Sequence, residues 1–131
     1  MLAAIFTILL IHFGLGGGSF SFEKAFEPFL KEVIADKPRY EQTIRLTKDA
    51  DETYQQFRKE VTGERAGELR TLIADYDATD ERFQQFFEKG SASRKRMQQK
   101  MLDIRFEMAK IMSQDEWDAM YRKIDEKKAS K

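Results

Sequence analysis

The sequence predicts an all-α protein in which an N-terminal transmembrane or signal helix precedes a long antiparallel helical hairpin with short flanking helices. Three observations favour this fold class. No charged side chain occurs before Glu23. Beyond Pro38 the chain contains no proline and is rich in residues that favour helices, such as Glu, Lys, Gln, Arg and Met. Apolar residues in the second half recur at alternating spacings of three and four, as they do on one face of a helix.

Residues 1–22 are predicted to form a transmembrane anchor or a signal segment. About 20 uncharged, mostly apolar residues suffice to span a bilayer. A cleaved signal peptide is the alternative, although no basic residue precedes Lys24, as one would in a typical signal peptide. His12, Gly14 and Gly18 are the candidate functional residues of this segment. An ionisable group at membrane depth suggests a functional site, and small residues allow close contact between helices. A hydrogen bond between helices would also explain His12.

Residues 23–38 are predicted to form a short amphipathic helix and a linker. Phe22, Phe26 and Phe29 follow helical spacing and form an aromatic face. That face could cover the domain core, contact a partner or lie on a membrane surface. Helices that lie on membranes carry basic polar faces, whereas this one carries acidic residues, beginning with Glu23. The three phenylalanines are therefore candidate partner-binding residues.

Residues 39–128 are predicted to form the helical hairpin domain. Apolar residues at alternating spacings from Ala66 to Phe87 predict one long helix, and Gly90 to Ser93 predict the turn, because glycine commonly ends helices. A stripe from Met97 to Ile111 predicts the returning helix in a coiled-coil-like pair. In this interpretation an acidic helix end faces a basic helix start. The charged residues concerned are Asp75, Asp77, Asp80 and Glu81, and Arg94, Lys95, Arg96 and Lys100.

A second helix start is predicted at Ser113. Ser113 and Glu116 have the spacing of a capping box, in which the serine hydroxyl accepts from the backbone of the glutamate and the carboxylate accepts from the backbone of the serine. Trp117, Met120 and Ile124 would give the following helix its apolar face.

The composition excludes several classes of function. Lys plus Arg and Asp plus Glu both number 23, so the basic excess expected of a nucleic-acid-binding protein is missing. The chain has no cysteine, and its one histidine is His12. Beyond residue 22 it also lacks a Gly-rich phosphate loop and a nucleophile elbow. We therefore expect no enzyme activity, no cofactor and no metal site.

Four methionines are the other candidate partner-binding residues, since methionine adapts to many apolar surfaces and its thioether can also bind soft metals. The alternative, which the isoleucines in the same stripe favour, is an ordinary core stripe that uses methionine as filler. The four methionines are Met97, Met101, Met108 and Met112.

Two short segments carry a family resemblance. Leu46-Thr47-Lys48-Asp49-Ala50 and Met112-Ser113-Gln114-Asp115-Glu116 are similar to the Leu-Thr-x-x-Gln motif of the Spy/CpxP-like and heavy-metal-resistance (CnrX-like) periplasmic proteins. Ala50 and Glu116 depart from the glutamine of that motif. The resemblance implies a small all-α periplasmic protein that holds unfolded clients, inhibits a sensor kinase or senses metal. The metal-sensing branch uses His and Met ligands, and this chain has no histidine after residue 22.

These observations lead to a functional expectation. The chain would be a single-pass protein of the bacterial inner membrane, or a cleaved periplasmic one, acting in stress or metal response through protein–protein contacts, in a chaperone-like or regulatory role. The expected partners are a protein or unfolded client, membrane lipid through residues 1–22, and a second copy of the chain. The alternative is a structural accessory subunit of a membrane protein complex.

Overall fold

A computed structural model describes residues 21–129 and contains five helices in this range. They are α1 (Phe22–Val33), α2 (Lys37–Thr62), α3 (Glu64–Ala74), α4 (Asp80–Ile111) and α5 (Gln114–Ala129). Within residues 21–129 there is no strand, which confirms the all-α class. None of these helices combines the length and apolar character needed to cross a bilayer. His12, Gly14 and Gly18, the predicted membrane-segment residues, lie outside the described range.

Helix α1 begins where the phenylalanine spacing predicts a helix. Ser21 caps it, because its hydroxyl accepts a hydrogen bond from the backbone N–H of Lys24 at 3.2 Å. Pro28 lies inside the helix on its exposed side, so the helix continues through it. The buried side of α1 carries Phe22, Phe26 and Leu30.

Helix α2 runs without interruption through the first of the two motif segments, Leu46–Ala50. Its start is capped by Asp36, whose carboxylate accepts from the Arg39 backbone N–H at 3.0 Å. Thr47, the threonine of that segment, lies in the interior of α2 and is buried. Its hydroxyl donates to the Ile44 carbonyl at 2.6 Å. The sequence also predicts a bend at Gly63 and Gly67, because glycines interrupt helices. This bend is confirmed, since α2 ends at Thr62 and α3 begins at Glu64.

The predicted turn at Gly90–Ser93 is wrong, and so is the single helix predicted from Ala66 to Phe87. Helix α4 runs without interruption through Gly90. One glycine inside a helix costs only about 1 kcal/mol relative to alanine, so the flanking helix formers carry the helix through it. The helices instead separate at residues 75–79, where polar side chains hold the backbone in a turn.

The chain forms two compact units. Among the described residues, the first comprises residues 21–48 and 105–129, and the second comprises Asp49–Ile104. In the first unit α1 packs against α5. Its buried residues are Phe22, Phe26, Leu30, Ile34, Thr43, Thr47, Met108, Met112, Trp117, Met120 and Ile124. In the second unit the buried residues are Ala50, Leu72, Ser93, Met101 and Ile104.

Candidate protein-binding surface

Helix α3 and the first half of α4 form an antiparallel hairpin within the second unit. Arg65 on α3 reaches α4, where its guanidinium lies 4.7 Å from the centre of the Phe86 ring and donates to the Phe86 carbonyl at 2.6 Å. A further contact between the two helices is the ion pair of Glu68 and Lys89 at 3.6 Å. Paired residues are 21 positions apart at Arg65 and Phe86 but only seven apart at Asp75 and Arg82, so residues 75–79 form the turn of this hairpin.

Gly90 provides space for the Arg65 contact. A Cβ atom at position 90 would lie 2.7 Å from Nη2 of Arg65, closer than side chains approach one another. The glycine that suggests a helix end thus marks a close approach between two helices. Ser93, the last residue of the same segment, is buried and donates to the Glu60 carboxylate at 2.6 Å. This bond joins α4 to the end of α2.

The turn at residues 75–79 contains Asp75 and Asp77, which the sequence interpretation placed at a helix end. The Asp75 carboxylate accepts from the Asp77 backbone N–H at 3.0 Å and from the Arg82 guanidinium at 2.7 Å. The guanidinium hydrogen bond lowers the pKa of Asp75 below its ordinary value. Thr79 caps α4 by accepting from the Arg82 backbone N–H at 3.3 Å. Asp75 and Asp77 are therefore built into the turn, whereas Asp80 and Glu81 lie in the first turn of α4.

One side of the hairpin carries apolar side chains that remain in contact with solvent. Positions 68 and 72 of α3 and positions 82 and 86 of α4 line the groove between the two helices. Leu69, Ile73, Phe83 and Phe87 each follow such a position by one residue, a rotation of about 100° about the helix axis. Because the two helices are antiparallel, these rotations place all four on the same side. We call these four residues the hairpin face.

The hairpin face is incompletely covered in the folded chain. The exposed fraction is 68% for Ile73 and 55% for Phe87, and Tyr76 in the adjoining turn is fully exposed. Leu69 and Phe83 are half-buried. Single exposed apolar side chains are common, but a group on one side of a hairpin is typical of a surface that contacts another molecule. The sequence indicated this face by its spacing, which we interpreted as a buried helix stripe.

A polar junction in the first unit joins the start of α2 to the helix boundary at Ser113. The predicted capping box is confirmed, because Glu116 accepts from the Ser113 backbone N–H at 2.8 Å and donates its own backbone N–H to the Ser113 hydroxyl at 3.2 Å. Arg39 donates two hydrogen bonds to the same carboxylate, at 2.6 and 2.9 Å. Arg39 also donates to the Ile111 carbonyl at 3.1 Å, which gives a hydrogen-bond partner to a backbone carbonyl at the end of α4.

This junction fixes the charge of Glu116. The hydrogen bonds from Arg39 outweigh partial burial and lower the pKa of Glu116 to about 2. The same contact raises the pKa of Arg39. Both groups are therefore charged at neutral pH, and the junction is a structural ion pair rather than a proton-transfer site.

The predicted partner-binding residues divide between core and surface. Met101, Met108 and Met112 are buried, as are Phe22 and Phe26. Only Met97 and Phe29 are half-buried. Five of the seven thus serve as packing residues within the folded chain, since helical spacing identifies an apolar stripe without indicating what covers it. The surface interpretation of these five is corrected accordingly, and the hairpin face takes their place as the candidate site.

Residues 21–129 offer little for metal binding or proton transfer. They contain no group of three or more His, Cys, Asp or Glu side chains arranged to hold a metal ion. The groove between Glu60, Glu64, Arg65 and Lys89 is open and lined by charges of both signs. Burial raises the pKa of Tyr121 to about 12, so this phenol stays neutral at physiological pH.

Comparison of the chain with protein-family models, with curated proteins and with solved structures finds no match. The geometry of the hairpin face and the sequence patterns are therefore the basis for the functional proposal.

Proposed function

We propose that this chain is a membrane-anchored, periplasm-facing helical binding protein that acts through protein–protein contacts in a chaperone-like or regulatory role. The observation that carries the proposal is the exposed hairpin face, with Ile73 and Phe87 on its helices and Tyr76 at its turn. A surface that holds apolar segments of other proteins needs such uncovered side chains, since burying them on contact drives association.

Two further features support the setting. The uncharged residues 1–22 are long enough to anchor the chain. The segment from Met112 to Glu116, which resembles the motif of the periplasmic families, forms a capping box at the start of α5. The other motif segment lies inside α2, where Thr47 is buried. The capping box at Ser113 is what supports this resemblance, and a stress- or metal-response role is part of the proposal.

The client-holding activity can be tested with the full chain in lipid nanodiscs. Light scattering would follow the aggregation of reduced lysozyme, used as a model unfolded client. We expect the wild-type chain to suppress scattering, and the double variant Ile73→Ser and Tyr76→Ser to lose at least about half of that protection, because it removes two exposed apolar contacts.

The matched control is Phe106→Ser in the first unit. The exposed fraction of Phe106 is 53%, against 68% for Ile73. This variant should protect as well as the wild type. No suppression by the wild-type chain, or an equal loss in the Phe106 variant, would refute the role of the hairpin face in holding clients.

The alternative function is a structural accessory subunit of a membrane complex, favoured by His12, Gly14 and Gly18 in an apolar segment. It predicts that replacing these residues prevents assembly of a complex visible on native gels, while the hairpin variant assembles normally. Intact mass and fractionation of the native protein test the anchor itself. A mass that includes Met1 in the membrane fraction supports the anchor, and a mass starting near Ser19 in the soluble fraction supports cleavage.

A further inference from the structure

The continuity of α4 places charges of opposite sign along a single helix. A turn at Gly90 would instead have put Asp80 and Glu81 on one helix and Arg94 and Lys95 on its neighbour. In the structure all four lie on one helix and are exposed. Within residues 21–129 neither Asp80 nor Arg94 takes part in an ion pair.

These charges are placed symmetrically about Phe87. Asp80 and Arg94 each lie seven residues from it, which is about 10.5 Å along the axis in opposite directions. Seven residues make nearly two full turns, so the three side chains share one side of α4. Gln84 and Ser91 lie between them and are also exposed. We call these five residues the α4 stripe.

We propose that the α4 stripe pairs with the same stripe of a second copy, antiparallel, about a two-fold axis at Phe87. A two-fold axis at that point exchanges the two ends of the stripe, so that Asp80 of each copy lies opposite Arg94 of the other. The exposed Phe87 rings meet at the centre of the contact, and two pairs of opposite charges flank them. A parallel pairing would instead place like charges opposite each other, which selects the antiparallel arrangement.

This inference deepens the proposed function, because it names a second copy of the chain as one partner of the hairpin face. It rests on the proposed function, since Phe87 belongs to the hairpin face. The two remain distinguishable. Ile73 and Tyr76 lie outside the α4 stripe, so client holding and pairing are measured with different variants.

Charge reversal provides the main test, with the full chain in detergent micelles and its association measured by sedimentation equilibrium. The wild type should form dimers with a dissociation constant below about 100 µM. Asp80→Arg and Arg94→Asp should each weaken the dimer about tenfold or more, since each change places like charges together twice. Asp118→Arg, an exposed position in the first unit with the same change of charge, is the matched control and should leave the dimer unchanged.

Mixing the two weakened variants makes the test specific. In a mixed dimer the altered end of each copy faces a charge of opposite sign, so an equimolar mixture should recover affinity to within about threefold of the wild type. Association through residues 1–22 would not respond to these changes. A monomeric wild type, unchanged single variants, or a mixture without recovery would each overturn the proposal.

The direction of pairing can be measured separately, because the chain has no cysteine of its own. Copies carrying Gln84→Cys and copies carrying Ser91→Cys should form a mixed disulfide when combined, since these positions lie on opposite sides of Phe87 and face each other in the antiparallel dimer. Gln84→Cys alone should cross-link poorly. Efficient cross-linking of Gln84→Cys with itself would indicate a parallel contact and overturn the arrangement.

Discussion

Replacing Glu116 by glutamine should change how the stability of the protein depends on pH. Glutamine keeps a side-chain oxygen that can accept from the Ser113 backbone N–H, but it removes the charge that faces Arg39. Folding lowers the pKa of Glu116 from its ordinary value of 4.5 to about 2. The charged carboxylate therefore stabilises the folded state above pH 4.5, and this contribution is lost as the pH falls through 2.

The size of the effect follows from the pKa and the exposure of the pair. A fall from 4.5 to about 2 would correspond to about 3 kcal/mol for a pair shielded from water. The exposed fraction is 15% for the Glu116 side chain and 38% for Arg39, so solvent screening reduces the contribution. We expect Glu116→Gln to lower the free energy of unfolding by about 1–2 kcal/mol at pH 7.

Urea unfolding of the full chain, followed by circular dichroism at several pH values between 7 and 2, would measure this difference. The curves of free energy against pH should converge for wild type and variant as the pH approaches 2. Ser113→Ala serves as a control, because it weakens the capping box without removing the charge. A constant offset between wild type and Glu116→Gln over the whole pH range would refute the assignment of the low pKa to Glu116.

Two further substitutions test the contacts of α4. Gly90→Ala should stabilise the protein by about 1 kcal/mol when Arg65 is also replaced by alanine, but by less in the wild type, where the new Cβ displaces the guanidinium. Equal gains in both backgrounds, measured by urea unfolding, would contradict the close approach. Ser93→Ala should cost about 1–2 kcal/mol because it removes the hydrogen-bond donor to the partly buried Glu60 carboxylate. Ser91→Ala on the exposed side should change stability by less than about 0.5 kcal/mol, and similar values for both serines would argue against a role for this hydrogen bond.

The features that the sequence predicted correctly depend on neighbouring residues. Composition and spacing predict helices because propensity and amphipathicity act within a few turns. The helix start at Ser113 and the break at Gly63 are likewise local, since capping and glycine conformations involve residues three or four positions apart. The start of α4 was also marked locally, by Asp75 and Thr79, but the apolar spacing that continues across them suggested a single helix.

The features that the sequence did not predict depend on contacts between distant segments. Arg39 and Glu116 lie 77 residues apart, and no local pattern links them. The same holds for Arg65 and Gly90, whose contact explains a glycine that otherwise resembles a helix end. Apolar spacing also indicates which side of a helix is apolar but not whether another helix covers it. Met101 and Phe87 both belong to apolar stripes in the sequence, yet Met101 is buried and Phe87 is exposed.

The division of the chain has a consequence for the order of folding during synthesis. The second unit is continuous in sequence, from Asp49 to Ile104, and can fold once that segment has left the ribosome. The first unit needs residues from both ends, because α1 packs on α5. Until α5 emerges, the apolar side of α1 with Phe22, Phe26 and Leu30 lacks the helix that packs against it. The growing chain therefore keeps this apolar side incompletely covered until α5 is made, and pauses late in synthesis would prolong its exposure to aggregation.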